Sequence, residues 1–139
     1  MGEAGTTKAV EAVRVHNPGG RSPFLLVCDH ASNFVPAAFG TFGLPASDLE
    51  RHIAWDPGAL GVATDLAGAL DATLIHSGIS RLVIDCNRPL DAANLIWTVS
   101  EGTVIPGNQN LTEAQRQERV DLAYVPFHDA IEAEVEARL

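Results

Sequence analysis

Residues 80–91 read SRLVIDCNRPLD, and the change of character inside this stretch sets the fold class. Leu82-Val83-Ile84 is an apolar run of strand length, and Asp85, Asn87, Arg88 and Asp91 follow at once. A strand that merely ended in a turn would need no more than Gly or Asn at that point. A second stretch has the same layout. FLLVCD, 24–29, is a continuous apolar run of the kind covered on both faces of a sheet, and it delivers Asp29-His30. In α/β sheets ligands gather at the carboxyl ends of strands, so two strand ends bearing polar groups point to a site.

Working outward, AVRV at 12–15 reads as a short edge strand closed by the turn NPGGRSP, 17–23. TLIHS, 73–77, and RLVID, 81–85, read as two further strands. LPASDLERHIAW, 44–55, reads as a helix with Ser47 as N-cap and Glu50 completing a capping box. DPGALGVATDLAGALDA, 56–72, sets Leu60, Ala63, Leu66, Ala67 and Leu70 on one helical face, with Pro57 just inside its start. A polar loop runs from 87 to about 111, and a last helix opens at Thr112, with Gln115 three residues on, and extends toward Arg138. Residues 1–9 read as a frayed start. Strands alternating with helices predict an α/β layered domain with a largely parallel sheet.

The bulk numbers fit one domain, 1–139. Hydrophobic residues make up 46% and charged residues 19%, enough to bury a core and too apolar for disorder. A net charge of −9 argues against a nucleic-acid footprint, which needs basic surface to displace counterions from phosphate. No apolar run is long enough to span a membrane, and the N-terminus lacks the basic-then-apolar layout of a signal peptide. Two cysteines, Cys28 and Cys86, read as buried free thiols and place the chain in the cytoplasm.

Each polar group has a functional and a bland reading. His30 is placed as a metal ligand, with a nearby carboxylate orienting its other nitrogen, or it caps the strand end. Asp56 precedes Pro57, so it either caps the next helix or contacts a metal or substrate. His52 reads as a partly buried surface residue. Arg81, Asp85, Asn87 and Arg88 form the strongest group: a guanidinium holds a carboxylate through two parallel hydrogen bonds, and Asn87 adds another contact. The alternative is an internal ion pair of Arg88 with Asp85 or Asp91. Gly107, in GTVIPGN, lets backbone approach a neighbour closely, whether in a pocket or in a plain loop. Tyr124 and His128 share a helix face at i, i+4. No phosphate loop, GxSxG elbow, HExxH or CxxC is present, so serine hydrolase, nucleotide-binding and zincin readings lose their support.

Taken in order, CDHASNFVP, HIAWDPGA, SRLVIDCNRPLD, IPGN and VPFHDAI resemble the N-formylglutamate amidohydrolase family. The resemblance covers the chain from about residue 13 to the last helix. It implies a fold like that of metal-dependent carboxypeptidases and aspartoacylase-like enzymes: a three-layer sandwich whose mixed, mostly parallel sheet has helices on both sides. It further implies hydrolysis of the amide of an N-acyl amino acid such as N-formyl-L-glutamate, with a divalent metal, zinc or cobalt. Carried over by position, His30 matches the histidine that begins the metal site, and Asn87-Arg88 match the pair that holds the substrate carboxylate. The glutamate that accompanies the histidine in the carboxypeptidase-like group is replaced by Asn33, so Asp29 or Asp56 would stand in as ligand. Family members are longer, so a further histidine and the general base would lie beyond Leu139. The sheet would then be incomplete on its C-terminal side, and pairing with another copy or chain is one way to complete it. The alternative is a truncated relative that binds an amino-acid carboxylate without catalysis.

Overall fold

The computed structural model describes residues 11–139; the stretch 1–9 read as a frayed start lies outside them. The fold is mixed α/β, built on a three-stranded sheet of order β1-β3-β2. Here β1 is Val13–His16, β2 is Leu25–Cys28 and β3 is Thr73–Ser77. Strands β2 and β3 run parallel, with Leu26 opposite Leu74, and β1 runs antiparallel to β3, with Val15 opposite Ile75. The expected parallel preference thus gives way to an even mixture. The helical crossover between β2 and β3 forces a parallel pair, whereas β1 joins from the opposite direction.

Strand β3 takes the central place, and this explains its burial: Leu74 and Ile75 are both shut off from solvent. The longer apolar run of β2 lies at the edge, and Val27 is 46% exposed, which corrects the expectation of a strand covered on both faces. Side chains alternate across the sheet. Leu74, with Leu26 and Cys28, packs against helix α1, Ala59–Leu70, through Leu60, Ala63 and Ala67. Ile75 and Leu25 belong instead to the main core with Phe127, Ala130 and Ile131. Of the expected α1 stripe, Leu66 and Leu70 remain exposed, so the buried face is narrower than the sequence suggested. Pro57 falls before the first helical residue, and Gly58, at φ 86, is the N-cap.

Two expected elements are replaced by irregular chain. The segment predicted as a helix over 44–55 forms only a 3₁₀ turn, Ala46–Glu50, with Pro45 rather than Ser47 at its start. Beyond it the extended Arg51 breaks any helix, and the carbonyl of Ala54 accepts from Ser80 Oγ at 2.7 Å and Arg81 N at 3.3 Å. The run RLVID is no strand either. Leu82, Val83, Ile84 and Asp85 are all buried, yet they form turns and coil. Their backbone groups are satisfied singly: Val83 N by Ser80 O, Asp85 N by Leu95 O at 2.7 Å, and the Leu82 and Val83 carbonyls by side chains from elsewhere. A short apolar run shows that a segment is buried; it does not show that it is a strand.

The polar loop contains a hairpin of β4, Val99–Ser100, and β5, Thr103–Val104. Its turn residues Glu101 and Gly102 both have positive φ, the geometry of a tight hairpin turn. Helix α2, Glu113–Arg119, opens with the expected capping box between Thr112 and Gln115. A π-helical turn, Val120–Tyr124, links it to α3, Val125–Ala137. Pro126 has no N–H to offer the carbonyl one α-turn earlier, which accounts for the wider turn. Among the described residues no helix is long and apolar enough to cross a membrane.

Candidate active site

At the end of β2 the chain places His30, 6% exposed, among carboxylates drawn from three separate segments. Its Nε2 lies 2.6 Å from Asp85 Oδ1, and its Nδ1 lies 3.3 Å from Asp56 Oδ2 and 3.8 Å from Asp29 Oδ1. Asp56 is brought there by a backbone bond from its own N–H to the His30 carbonyl, 2.9 Å. Its carboxylate makes no capping bond to α1, so the capping reading of this residue falls away.

Asp85 is fully buried and accepts four hydrogen bonds. Oδ1 receives His30 Nε2 and the Asn87 N–H at 3.0 Å; Oδ2 receives Arg81 Nη2 at 2.8 Å and Trp97 Nε1 at 2.9 Å. Burial alone would raise its pKa. The bonds from His30 and Trp97 and the charges of His30 and Arg81 outweigh it, holding the carboxyl far below the usual range. An ionised Asp85 fixes the ring: Nε2–H donates to it, and Nδ1 faces Asp29 and Asp56. For His30, burial opposes the charged form, but the Asp85 bond and charge win and the pKa is raised.

The expected substrate group divides. Asp85 is saturated by protein donors with no surface exposed, so its part is to hold His30 and Arg81 rather than to meet a ligand. Arg81 is bound to Asp85 and lies 3.7 Å from Asp56. Asn87 is an exposed residue that contacts the cluster through its backbone. Among the described residues Arg88 forms no ion pair with Asp85 or Asp91; its Nη1 donates to the Asn87 carbonyl, and the guanidinium lies 5.6 Å from the Trp97 ring centre. Arg81 lies 5.5 Å from the same ring. The link between His30 and Arg88 therefore runs through Asp85 and Trp97.

Trp97 is the residue the sequence reading missed. It sits in the long polar loop, twelve residues after Asp85, with no local pattern to mark it. Asn33 turns away from His30 and donates to the Leu49 carbonyl at 2.9 Å. His52 is on the surface but exposed, not partly buried. Tyr124 and His128 do share a face, rings 4.3 Å apart, and they brace the 86–88 backbone: Tyr124 Oη donates to the Arg88 carbonyl, and His128 Nε2 bonds the Cys86 carbonyl.

As arranged, no three His, Cys, Asp or Glu side chains among the described residues close around one point in the manner of a metal site. The donor types are nonetheless those a cation takes: Asp56 and Asp85 face the Arg81 guanidinium, and one imidazole nitrogen is turned toward Asp29 and Asp56.

No curated protein sequence matches the chain. It is similar to a crystal structure of an Agrobacterium tumefaciens gene product, Atu2144, at 46% identity and a TM-score of 0.90, over 92% of this chain. The chain spans about half of that protein, 51% of its length. The sequence model of the N-formylglutamate amidohydrolase family matches residues 22–139, a span holding every residue of the cluster, and the chain belongs to that family.

Proposed function

We propose that this chain carries part of a metal-dependent hydrolase acting on the amide bond of N-formylglutamate or a similar N-acyl amino acid. The observation that carries the reading is the clamped imidazole: Asp85 holds Nε2 of His30 and leaves Nδ1 beside Asp29 and Asp56. His30, Asp29 and Asp56 would hold the divalent cation, zinc or cobalt, after the partly exposed Asp29 and Asp56 side chains rotate toward it. Bound there, the ion would lower the pKa of a water and polarise the amide carbonyl. Hydrolytic zinc sites carry three protein ligands and an open position, the number this set would reach.

The protein's own contribution is orientation. Asp85 prevents the His30 ring from turning, and Trp97 and Arg81 keep Asp85 in place. Arg88, without a carboxylate partner among the described residues and next to the Trp97 ring, would take the amino-acid carboxylate of the substrate. Tyr124 fixes the backbone that presents it. The wider architecture we infer is a three-layer sandwich in which the sheet continues past its exposed β2 edge.

Zinc titration by calorimetry, followed by a formate-release assay on N-formylglutamate, tests this. Stoichiometric binding abolished by His30→Ala supports the reading, and zinc binding unaffected by that change removes the metal assignment. The rival reading is a relative that binds a carboxylate without catalysis, resting on Arg88 and not on a metal. That rival predicts glutamate binding in the absence of metal. Under either reading Arg88→Ala weakens binding by about 1.5–3 kcal/mol, the range for a charged hydrogen bond.

A further inference from the structure

Away from the His30 cluster the molecule buries a second positive charge. Arg119, the last residue of α2, is 4% exposed and stands just before the π turn. Its Nη1 donates to the Asn108 side chain at 2.7 Å and to the Val83 carbonyl at 3.0 Å, with Leu82 O further off at 3.5 Å. Nη2 has one long contact, 3.5 Å to the Gly107 carbonyl. Every one of these partners is neutral, and no carboxylate lies within ion-pair distance among the described residues. The guanidinium also lies 4.8 and 5.6 Å from the ring centres of Phe39 and Phe42. Burial of this kind depresses the pKa of the group.

A guanidinium has five N–H donors in a fixed fork. The protein engages Nη1 fully and leaves the Nε–Nη2 edge almost unused, and that edge matches the two oxygens of a carboxylate. Beside Arg119 is a cavity of about 290 Å³, lined by Phe39, Phe42, Leu111, Gln115 and Glu118 among others. It is large enough for a small metabolite and too small for a peptide. One wall is built under constraint. Phe42 is held at φ 56, rare for a bulky residue, and Gly107 donates to its carbonyl at 2.7 Å. Glu118, on the exposed side of α2, brings a negative charge to the mouth.

The geometry points to a second ligand site, in which Arg119 grips the carboxylate of a small amino acid and Glu118 receives its ammonium group. Glycine or alanine suits the cavity in size and charge, whereas Glu118 repels the second carboxylate of a dicarboxylate. The site is independent of the hydrolase reading, since Arg119 and the His30 cluster share no side-chain contact.

Calorimetric titration of the full chain with glycine, acetate and succinate tests this. We expect saturable glycine binding, weaker acetate binding and no succinate binding. Arg119→Lys should weaken glycine about tenfold or more, because a point charge cannot reproduce the fork. Arg119 also pins neighbouring backbone, so Glu118→Gln, on the exposed face, supplies the variant that folds regardless. It should weaken glycine and leave acetate unchanged. The proposal is overturned if neither glycine nor acetate gives saturable heat, if Arg119→Lys leaves glycine binding unchanged, or if Glu118→Gln does not separate glycine from acetate.

Discussion

Replacing Asp85 with asparagine keeps the shape of the side chain and removes its charge and one of its acceptors. Four donors from His30, Asn87, Arg81 and Trp97 converge on the carboxylate. The amide offers one oxygen, so the donors on the other side meet an NH₂ group in a site with no solvent access. Hydrogen bonds to charged groups contribute about 1.5–3 kcal/mol each, and removing one member of a buried ion pair costs about 3–5 kcal/mol. The two figures overlap rather than add, because they describe one interaction. We expect Asp85→Asn to lose about 3–5 kcal/mol, a large part of the 5–15 kcal/mol typical of a domain. With a urea slope of about 2 kcal/mol/M the midpoint falls by roughly 2 M. The wild-type pH profile gives a second readout. The depressed pKa of Asp85 contributes stability above its unfolded value of about 3.9, and this is lost as pH falls through the folded value. The raised pKa of His30 contributes below about 6.5 and is lost as pH rises through its folded value. The metal-free wild type should therefore be most stable between those limits and lose stability on both sides of them, and the variant should lack both losses. A loss under about 1 kcal/mol at unchanged slope would refute the claim that an ionised Asp85 organises the cluster.

Three further outcomes follow from the packing. Gly107→Ala places a Cβ 2.7 Å from the Phe42 Cα, so it should cost about 1–3 kcal/mol in chemical denaturation; a neutral result would mean the two backbones separate freely. Thr112→Ala removes half of a capping box and should cost about 1 kcal/mol, read in the same assay, with Thr112→Ser close to wild type. Burial pushes the Cys86 thiol up to about 12 and raises that of Cys28, so neither should react with a disulfide reagent at neutral pH until the protein is unfolded, when two thiols should titrate. Rapid modification of the folded chain would contradict their burial.

Much of this was legible in the sequence wherever local chemistry decides structure. Strand β3 occupies the residues its apolar run marked, and the capping box at Thr112 forms as its spacing required. Gly107 does allow the close backbone approach, and Tyr124 and His128 meet across one helical turn. The failures share a cause. At 44–55 a helix signal loses to tertiary bonding: Arg51 is extended, and the turn after it aims the Ala54 carbonyl at Ser80 and Arg81. In β2 an apolar run faithfully reports hydrophobicity but says nothing of its place at the sheet edge.

The segment that opened the sequence reading shows best why the site is harder to read than the fold. Leu82-Val83-Ile84 could join the sheet only at the open side of β1 or β2, because β3 already has a neighbour on each side. The chain instead folds back through Ser80, whose Oγ accepts from Leu82 N, and the segment is tied down by Asn108 and Arg119. A strand would have set Arg81 and Asp85 on one face but about 13 Å apart, and would have turned Val83 to the face opposite Leu82 and Ile84. The turn puts Arg81 and Asp85 in direct contact, 2.8 Å apart, while Leu82, Val83 and Ile84 all enter the core. The partners that make this possible, Trp97, Asn108 and Arg119, lie between 12 and 37 residues further along the chain. Residue types near residue 85 could announce a polar cluster, but its geometry depends on side chains that no local pattern connects to it.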